Sequence, residues 1–162
     1  MSDEETVDPQ ITRLEKEADL AADYIEGLLD IADLDGDLDL EVNGNRAMVA
    51  VTGGGKDLEN LSAPDVVQAL QDLTRLSVQS DTGEFSRLIL DIGGSRKARE
   101  KELHQIVDHA IAALEAGREE VELESMSSYE RKLVHDYVSE RGYVSESHGE
   151  GRNRRLTVSK AE

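Results

Sequence analysis

The first strongly patterned stretch of the chain begins after residue 10. Leu14, Ala18, Ala21, Ile25, Leu28, Leu29 and Ala32 recur at steps of three and four, which predicts a helix over about 11–33. Asp8-Pro9 supplies a start signal, Thr12-x-x-Glu15 a capping box, and Gly36 the expected stop. The period then drops to two. Asp37-Leu38-Asp39-Leu40-Glu41-Val42 places Leu38, Leu40 and Val42 on one face, the mark of a half-buried strand. Asn43-Gly44 predicts a two-residue turn, with Arg46–Val51 returning as the second strand. After a loop at Thr52-Gly53-Gly54-Gly55-Lys56, Pro64-Asp65 opens a helix whose expected stripe is Val66, Val67, Leu70, Leu73 and Leu76. Past a turn at Asp81-Thr82-Gly83, Phe85, Leu88, Ile89, Leu90 and Ile92 predict a third strand, broken by Gly93-Gly94.

A long helix follows over about 96–116, with Leu103, Ile106, Val107, Ala110, Ile111 and Leu114 on one face and Gly117 as its closing residue. Val121 and Leu123 mark a short strand. Ser127-x-x-Glu130 is a capping box for a helix over about 128–141 that Gly142 stops. Tyr143–Ser147 and Arg154–Ser159 read as two strands around Gly149-Glu150-Gly151. The order predicts an α+β chain: an α-β-β-α-β unit with a three-stranded sheet and helices on one face, a long linking helix, then a small β-α-β-β unit. The expected division is an acidic disordered tail at 1–10, a first domain at 11–94, the linking helix at 95–117 and a second domain at 118–162.

Charge changes this picture. The chain has 162 residues and a net charge of −18. Residues 1–81 hold 5 Lys+Arg against 20 Asp+Glu, so 13 of the 18 cations fall in the second half. The bulk charge argues against polyanions, but a basic face in the second half is still open to phosphate. Cysteine is absent, which removes disulfides, thiolate metal sites and a cysteine nucleophile. No run approaches the ~18 apolar residues of a membrane span. Met1-Ser2-Asp3-Glu4-Glu5 lacks the layout of a signal peptide, so a cytoplasmic location is expected.

Candidate chemistry is thin outside the second half. Counted from Asp33, a calcium loop would need Gly and Glu where Leu38 and Gly44 stand. Gly53-Gly54-Gly55-Lys56 lacks the first Gly and the Ser/Thr of a phosphate loop. His104 and His109, five apart on a helix, point about 140° apart and make a poor metal pair. No cofactor is expected, and no catalytic residue is assigned: the chain reads as a binding protein and not an enzyme. Arg96, Lys97, Arg99 and Lys101 crowd the first turns of the long helix, against its macrodipole, which suits either an anionic ligand or a solvated face with local ion pairs to Glu100 and Glu102. Arg131 and His135 are one helical turn apart on one face, where a guanidinium fork and an imidazole together offer donors to phosphate.

Ser127-Ser128-Tyr129-Glu130-Arg131-Lys132-Leu133-Val134-His135, then Val144-Ser145-Glu146-Ser147-His148-Gly149-Glu150-Gly151-Arg152 and Arg154-Arg155-Leu156-Thr157-Val158, resemble an R-three-H domain, named for Arg-x-x-x-His. That family binds single-stranded nucleic acid. Ala69-Leu70-Gln71-Asp72-Leu73-Thr74-Arg75-Leu76 and Leu90-Asp91-Ile92-Gly93-Gly94-Ser95-Arg96-Lys97-Ala98-Arg99 resemble the KH domain of the bacterial Jag family, also called KhpB or EloR, which pairs a KH with an R-three-H domain. The resemblance covers about 14–159.

It implies a protein that contacts single-stranded RNA, or single-stranded DNA, mainly through its C-terminal domain, in post-transcriptional control linked to cell envelope growth and division. It also implies a small KH-domain protein as hetero-dimer partner and a functional link, without membrane insertion, to an insertase of the YidC type. The residues expected at the nucleic acid are Arg131, His135, Ser147, Gly149, Arg152, Arg154 and Arg155, with Arg96, Lys97 and Arg99 extending the track. One departure matters. The Gly-x-x-Gly loop with which KH domains clamp nucleotides falls on Leu61-Ser62-Ala63-Pro64, where Cβ atoms and a missing N–H oppose close approach of phosphate. The first domain is therefore expected to act as scaffold or protein interface. The alternative is an interaction adaptor with vestigial RNA binding. Many Jag proteins carry a further N-terminal domain, whose functions are not expected in a chain that starts close to the KH helix. One Phe and no Trp leave Tyr129, Tyr137 and Tyr143 as the candidate stacking platforms.

Overall fold

The computed structural model describes residues 8–162. In chain order the elements are α1 (Pro9–Ala32), β1 (Asp37–Asn43), β2 (Arg46–Thr52), a 3-10 turn (Gly55–Leu58), α2 (Pro64–Thr82), β3 (Ile89–Ile92), α3 (Ser95–Glu115), β4 (Glu120–Ser125), α4 (Ser128–Glu140), β5 (Tyr143–His148), a 3-10 turn (Gly151–Asn153) and β6 (Arg155–Lys160). The chain falls into two compact units, one ending at Arg96 and the other spanning Lys97–Glu162. Each has one three-stranded sheet, which matches the expected α+β class. No helix among the described residues is long and apolar enough to cross a membrane.

In the first unit β2 is the central strand, antiparallel to β1 and parallel to β3. Ala47, Val49 and Val51 alternate into a core shared with Ala18, Ala21, Ile25 and Leu29 of α1 and with Leu90 and Ile92 of β3. Part of the expected tail, residues 1–7, lies outside the described residues. The rest of it is ordered, since Asp8 accepts a hydrogen bond from the Gln10 N–H and Pro9 fills the first helical position. The helix closes at Asp33, not Gly36. Asp33 adopts φ 55°, and the N–H groups of Asp33 and Leu34 return to the carbonyls of Asp30 and Leu29. The hairpin turn is Gly44-Asn45, one residue later than expected, because Asn43 pairs with Arg46. Gly44 at φ 60° supplies the positive dihedral there.

Two expectations for this unit hold only in part. Val67 and Leu70 of the expected α2 stripe pack against the core, but Leu73 and Leu76 are 49% and 61% exposed, so the stripe is apolar only in its first half. The inward face continues from Val67 and Leu70 through Gln71, Thr74, Arg75 and Val78, and its polar members serve the open edge of β3. Gln71 Oε1 accepts from the Leu90 N–H at 3.1 Å, and Arg75 Nε donates to the Leu88 carbonyl at 2.9 Å. Thr74 is fully buried, its hydroxyl bonded to the Leu70 carbonyl. Polar side chains thus cap a strand edge that would otherwise leave backbone groups unpaired. The third strand is only Ile89–Ile92, and Phe85 lies outside it, 69% exposed. The segment before it is pinned instead by Ser86, whose hydroxyl donates to buried Glu17 of α1 at 2.9 Å and accepts from the Leu88 N–H.

The second unit begins inside the helix expected to be a link. Leu103, Val107, Ala110, Ile111 and Leu114 of α3 share a core with Leu123, Met126, Val134, Val138, Leu156 and Val158. α3 therefore contributes its buried face to this unit. It ends as expected at Gly117, with φ 111°, the Gly117 N–H on Leu114 and the Arg118 N–H on Ala113, the paired bonds of a Schellman closure. The sheet order is β4-β6-β5, all antiparallel.

Candidate nucleic-acid interface

α4 is built as its local sequence dictates. Ser127 Oγ accepts from the Glu130 N–H, and Glu130 Oε2 accepts from the Ser127 N–H, both at 3.2 Å. Glu130 Oε1 also accepts from Arg99 Nε at 2.8 Å. The helix start, and hence Arg131 beside it, is fixed on both sides. Arg131 Nη1 donates to the Met126 carbonyl at 2.7 Å. One turn on, His135 stands exposed on the helix, with its Nδ1 2.6 Å from the hydroxyl of Ser145 in β5.

That contact sets the register between helix and strand. Gly142, at φ 81°, turns the chain so that β5 runs back along α4. Four helical residues advance about 6 Å and two strand residues about 6.6 Å. Stepping from His135 to Arg131 therefore matches stepping from Ser145 to Ser147. Ser147 Oγ in turn accepts from Arg154 Nε at 3.2 Å. His135, Ser147 and Arg154 thus lie along β5, which among the described residues pairs with β6 alone and forms one edge of its sheet, while Arg131, one turn back on α4, is held at the Met126 carbonyl just after β4. The cations here are bonded to a carbonyl and a hydroxyl, neutral groups that leave their charge uncompensated.

The other expected residues do not join this row. Directly opposite residues share a face, so Ser145 and Ser147 lie on the side of their partners Val158 and Leu156, while His148 lies on the other side with its partner Arg155. Arg155 is there ion-paired to Glu122 at 3.0 Å. These two with His148, Gly149 and Asn153 line a wide open hollow on that other face. Gly149 makes the tight turn itself: φ is 85°, and a Cβ would sit 2.9 Å from the Asn153 carbonyl oxygen. Arg152 is exposed on the 3-10 turn, and Lys97 is exposed on the first turn of α3. Arg99 is held by Glu130 and by Glu102 at 2.9 Å. Burial disfavours its charged form, but the hydrogen bonds to the two carboxylates outweigh that and raise its pKa. Arg96 belongs to the first unit, with its N–H on Asp91 and Nη1 3.7 Å from Met48 Sδ.

Sequence reasoning missed Ser145, a serine only 7% exposed on the inward face of β5. Alternation from Tyr143 through Ser147 puts it inward, and a polar residue at an inward strand position was the available signal. Among the described residues no group of acidic, histidine or cysteine side chains is placed to hold a metal ion.

The family profile of the R-three-H domain matches residues 101–160. Residues 101–160 are an R-three-H domain. The match begins within α3 and takes in β4, α4, β5 and β6. The chain is 32% identical over 98 residues to RNA-binding protein KhpB of Bacillus subtilis (strain 168), covering 57% of this chain and 46% of that protein. It is 26% identical over 150 residues to RNA-binding protein KhpB of Clostridium symbiosum, covering 91% of this chain and 68% of that one. The chain thus carries an R-three-H domain and is similar to proteins named RNA-binding protein KhpB, and it spans about half the length of the Bacillus relative.

Proposed function

We propose that this chain binds single-stranded RNA through its R-three-H domain, at the row formed by Arg131, His135, Ser147 and Arg154 along α4 and β5. The observation that carries the reading is the alternation of Ser145 and Ser147 on an edge strand, one bonded to His135 and the other to Arg154. Arg131 and Arg154 supply the attraction to phosphate, and His135 supplies a donor. With few aromatic side chains the contact is mainly to the backbone, so affinity is modest and sequence preference low. Arg152 and Lys97 add to the basic surround, whereas Arg99 and Arg155 already face carboxylates. The relatives' names as RNA-binding proteins support this reading.

Fluorescence anisotropy with a short single-stranded RNA at two salt concentrations tests it, with wild type beside Arg131→Ala/His135→Ala and the same sequence as single-stranded DNA for comparison. Wild type binds, salt weakens binding because neutralised phosphates release counterions, and the double variant loses it. Absence of binding at low salt would overturn the reading.

That outcome favours a second reading, an interaction adaptor, which the exposed Leu73 and Leu76 on α2 support. In either reading the first unit is a KH-like protein interface, and its proposed partner is a small KH-domain protein. We place the chain in the cytoplasm, in post-transcriptional control tied to envelope growth, division and cell shape, with the YidC-type insertase as a functional neighbour. These assignments rest on the family resemblance.

A further inference from the structure

Ser145 occupies an inward position of β5 opposite Val158, which is fully buried, and the helix above it buries Val134 and Val138. Valine is the physical default in such a place. A hydroxyl taken out of water there is costly unless it is hydrogen-bonded. Among the described residues its one partner is Nδ1 of His135, at 2.6 Å. The direction of that bond follows from the same accounting. If Nδ1 carried the proton, the imidazole would donate to Ser145 and the buried hydroxyl hydrogen would have no acceptor. If the hydroxyl donates, Nδ1 is the acceptor and the neutral ring carries its proton on Nε2.

We infer that Ser145 is a positioning residue that holds His135 as the Nε2–H tautomer, so that the exposed edge of the ring presents a donor to a phosphate of bound RNA. The inference rests on the proposed RNA site. It explains a buried serine that the core does not need and that the hydrophobic pattern did not single out. It also assigns the two serines of β5 different tasks: Ser147 accepts from a cation, and Ser145 donates to an imidazole.

Two measurements on the full chain separate this inference from the reading beneath it. The first needs no RNA. Long-range nitrogen–proton NMR of the histidine side chains at alkaline pH shows His135 with a proton-bearing Nε2 and a bare Nδ1 in wild type, and a mixture of tautomers in Ser145→Val. The opposite tautomer in wild type, or an unchanged pattern in Ser145→Val, would overturn the inference whether or not RNA binds. The second is RNA anisotropy with the near-isosteric pair Ser145→Thr and Ser145→Val, which differ by a hydroxyl against a methyl. Ser145→Thr keeps the wild-type affinity, whereas Ser145→Val weakens it by about 3- to 10-fold, the loss expected for one hydrogen bond. Ser145→Val at the same time keeps or raises the unfolding temperature, because it removes a polar atom from an apolar face. A purely structural serine gives the reverse: lower stability in Ser145→Val and unchanged affinity. If Ser145→Val binds like wild type while Arg131→Ala/His135→Ala fails, the RNA site stands and the role of Ser145 falls. If wild type does not bind RNA, the ligand assigned to the Nε2 donor falls with the site.

Discussion

The two units pack a three-stranded sheet with helices in comparable ways, yet they use their arginines differently. The first holds 7 Lys+Arg against 22 Asp+Glu, the second 11 against 14. In the first unit Arg46 and Arg75 donate to the carbonyls of Arg87 and Leu88, securing the entry to β3. Arg75 is half-buried, and burial, followed by the nearby charge of Arg46, lowers its pKa. In the R-three-H domain Arg131 and Arg154 also bond to neutral oxygens, but Arg154 does so on the edge strand β5 and Arg131 one helical turn from an exposed histidine. The lesson is that net charge alone does not locate a polyanion site. What matters is whether a cation's partners are neutral and whether the cation stands at an open edge. By that criterion an overall charge of −18 is compatible with the phosphate-binding face proposed above.

The comparison breaks most sharply in the cores. Leu114, fully buried in α3, and Ile25, 1% exposed in α1, belong to separate clusters. Leu114→Ala is expected to cost about 2–5 kcal/mol in the R-three-H domain, and Ile25→Ala the same in the first unit. Hydrogen exchange followed residue by residue distinguishes them: each variant loses protection in its own unit. Loss in both units from either variant would mean that the chain unfolds as one cooperative body.

The division between cores also shows what the sequence could and could not reveal. The capping box of Ser127 and Glu130 and the closure at Gly117 were legible because they are made by residues three to five apart, using local backbone groups. The Arg131–His135 pair was legible for the same reason. The α2 stripe was legible only in part: Val67 and Leu70 pack on the core, Leu73 and Leu76 do not. Its inward face is chosen by the edge of β3, and a hydrophobicity pattern carries no sign that Gln71 and Arg75 are needed there. The face of Arg155 was hidden similarly, since strand register and the position of Glu122 decide it. Ser145 lay in plain view in the alternation, but its meaning required knowing which helix residue stands over it.

A smaller effect sharpens the contrast within the R-three-H domain itself. Arg154, bonded to a serine, is expected to neutralise a phosphate, so Arg154→Ala reduces the salt slope of RNA binding by about one. Arg155 is already paired to Glu122 on the other face, so Arg155→Ala leaves the slope unchanged. Titrating salt against affinity for the two variants decides between them; equal slopes would mean that face and partner do not matter.

The smallest effect concerns Tyr143, which opens β5 and whose hydroxyl donates to Glu115 at the end of α3. The hydrogen bond to that carboxylate, followed by burial and the carboxylate's charge, raises the Tyr143 pKa, against a weaker opposing pull from Arg141. The neutral phenol is the form that the folded domain favours. Its contribution to stability is therefore fully present below the ordinary tyrosine value near 10 and is lost as pH rises through the raised folded value. Tyr143→Phe removes the contribution at every pH. Urea unfolding of the R-three-H domain at neutral and alkaline pH is expected to show wild type more stable than Tyr143→Phe at neutral pH, with the gap closing on the alkaline side. A gap that stays constant would assign the contact to packing of the ring, and a gap that widens would mean that the bond favours the ionised phenol.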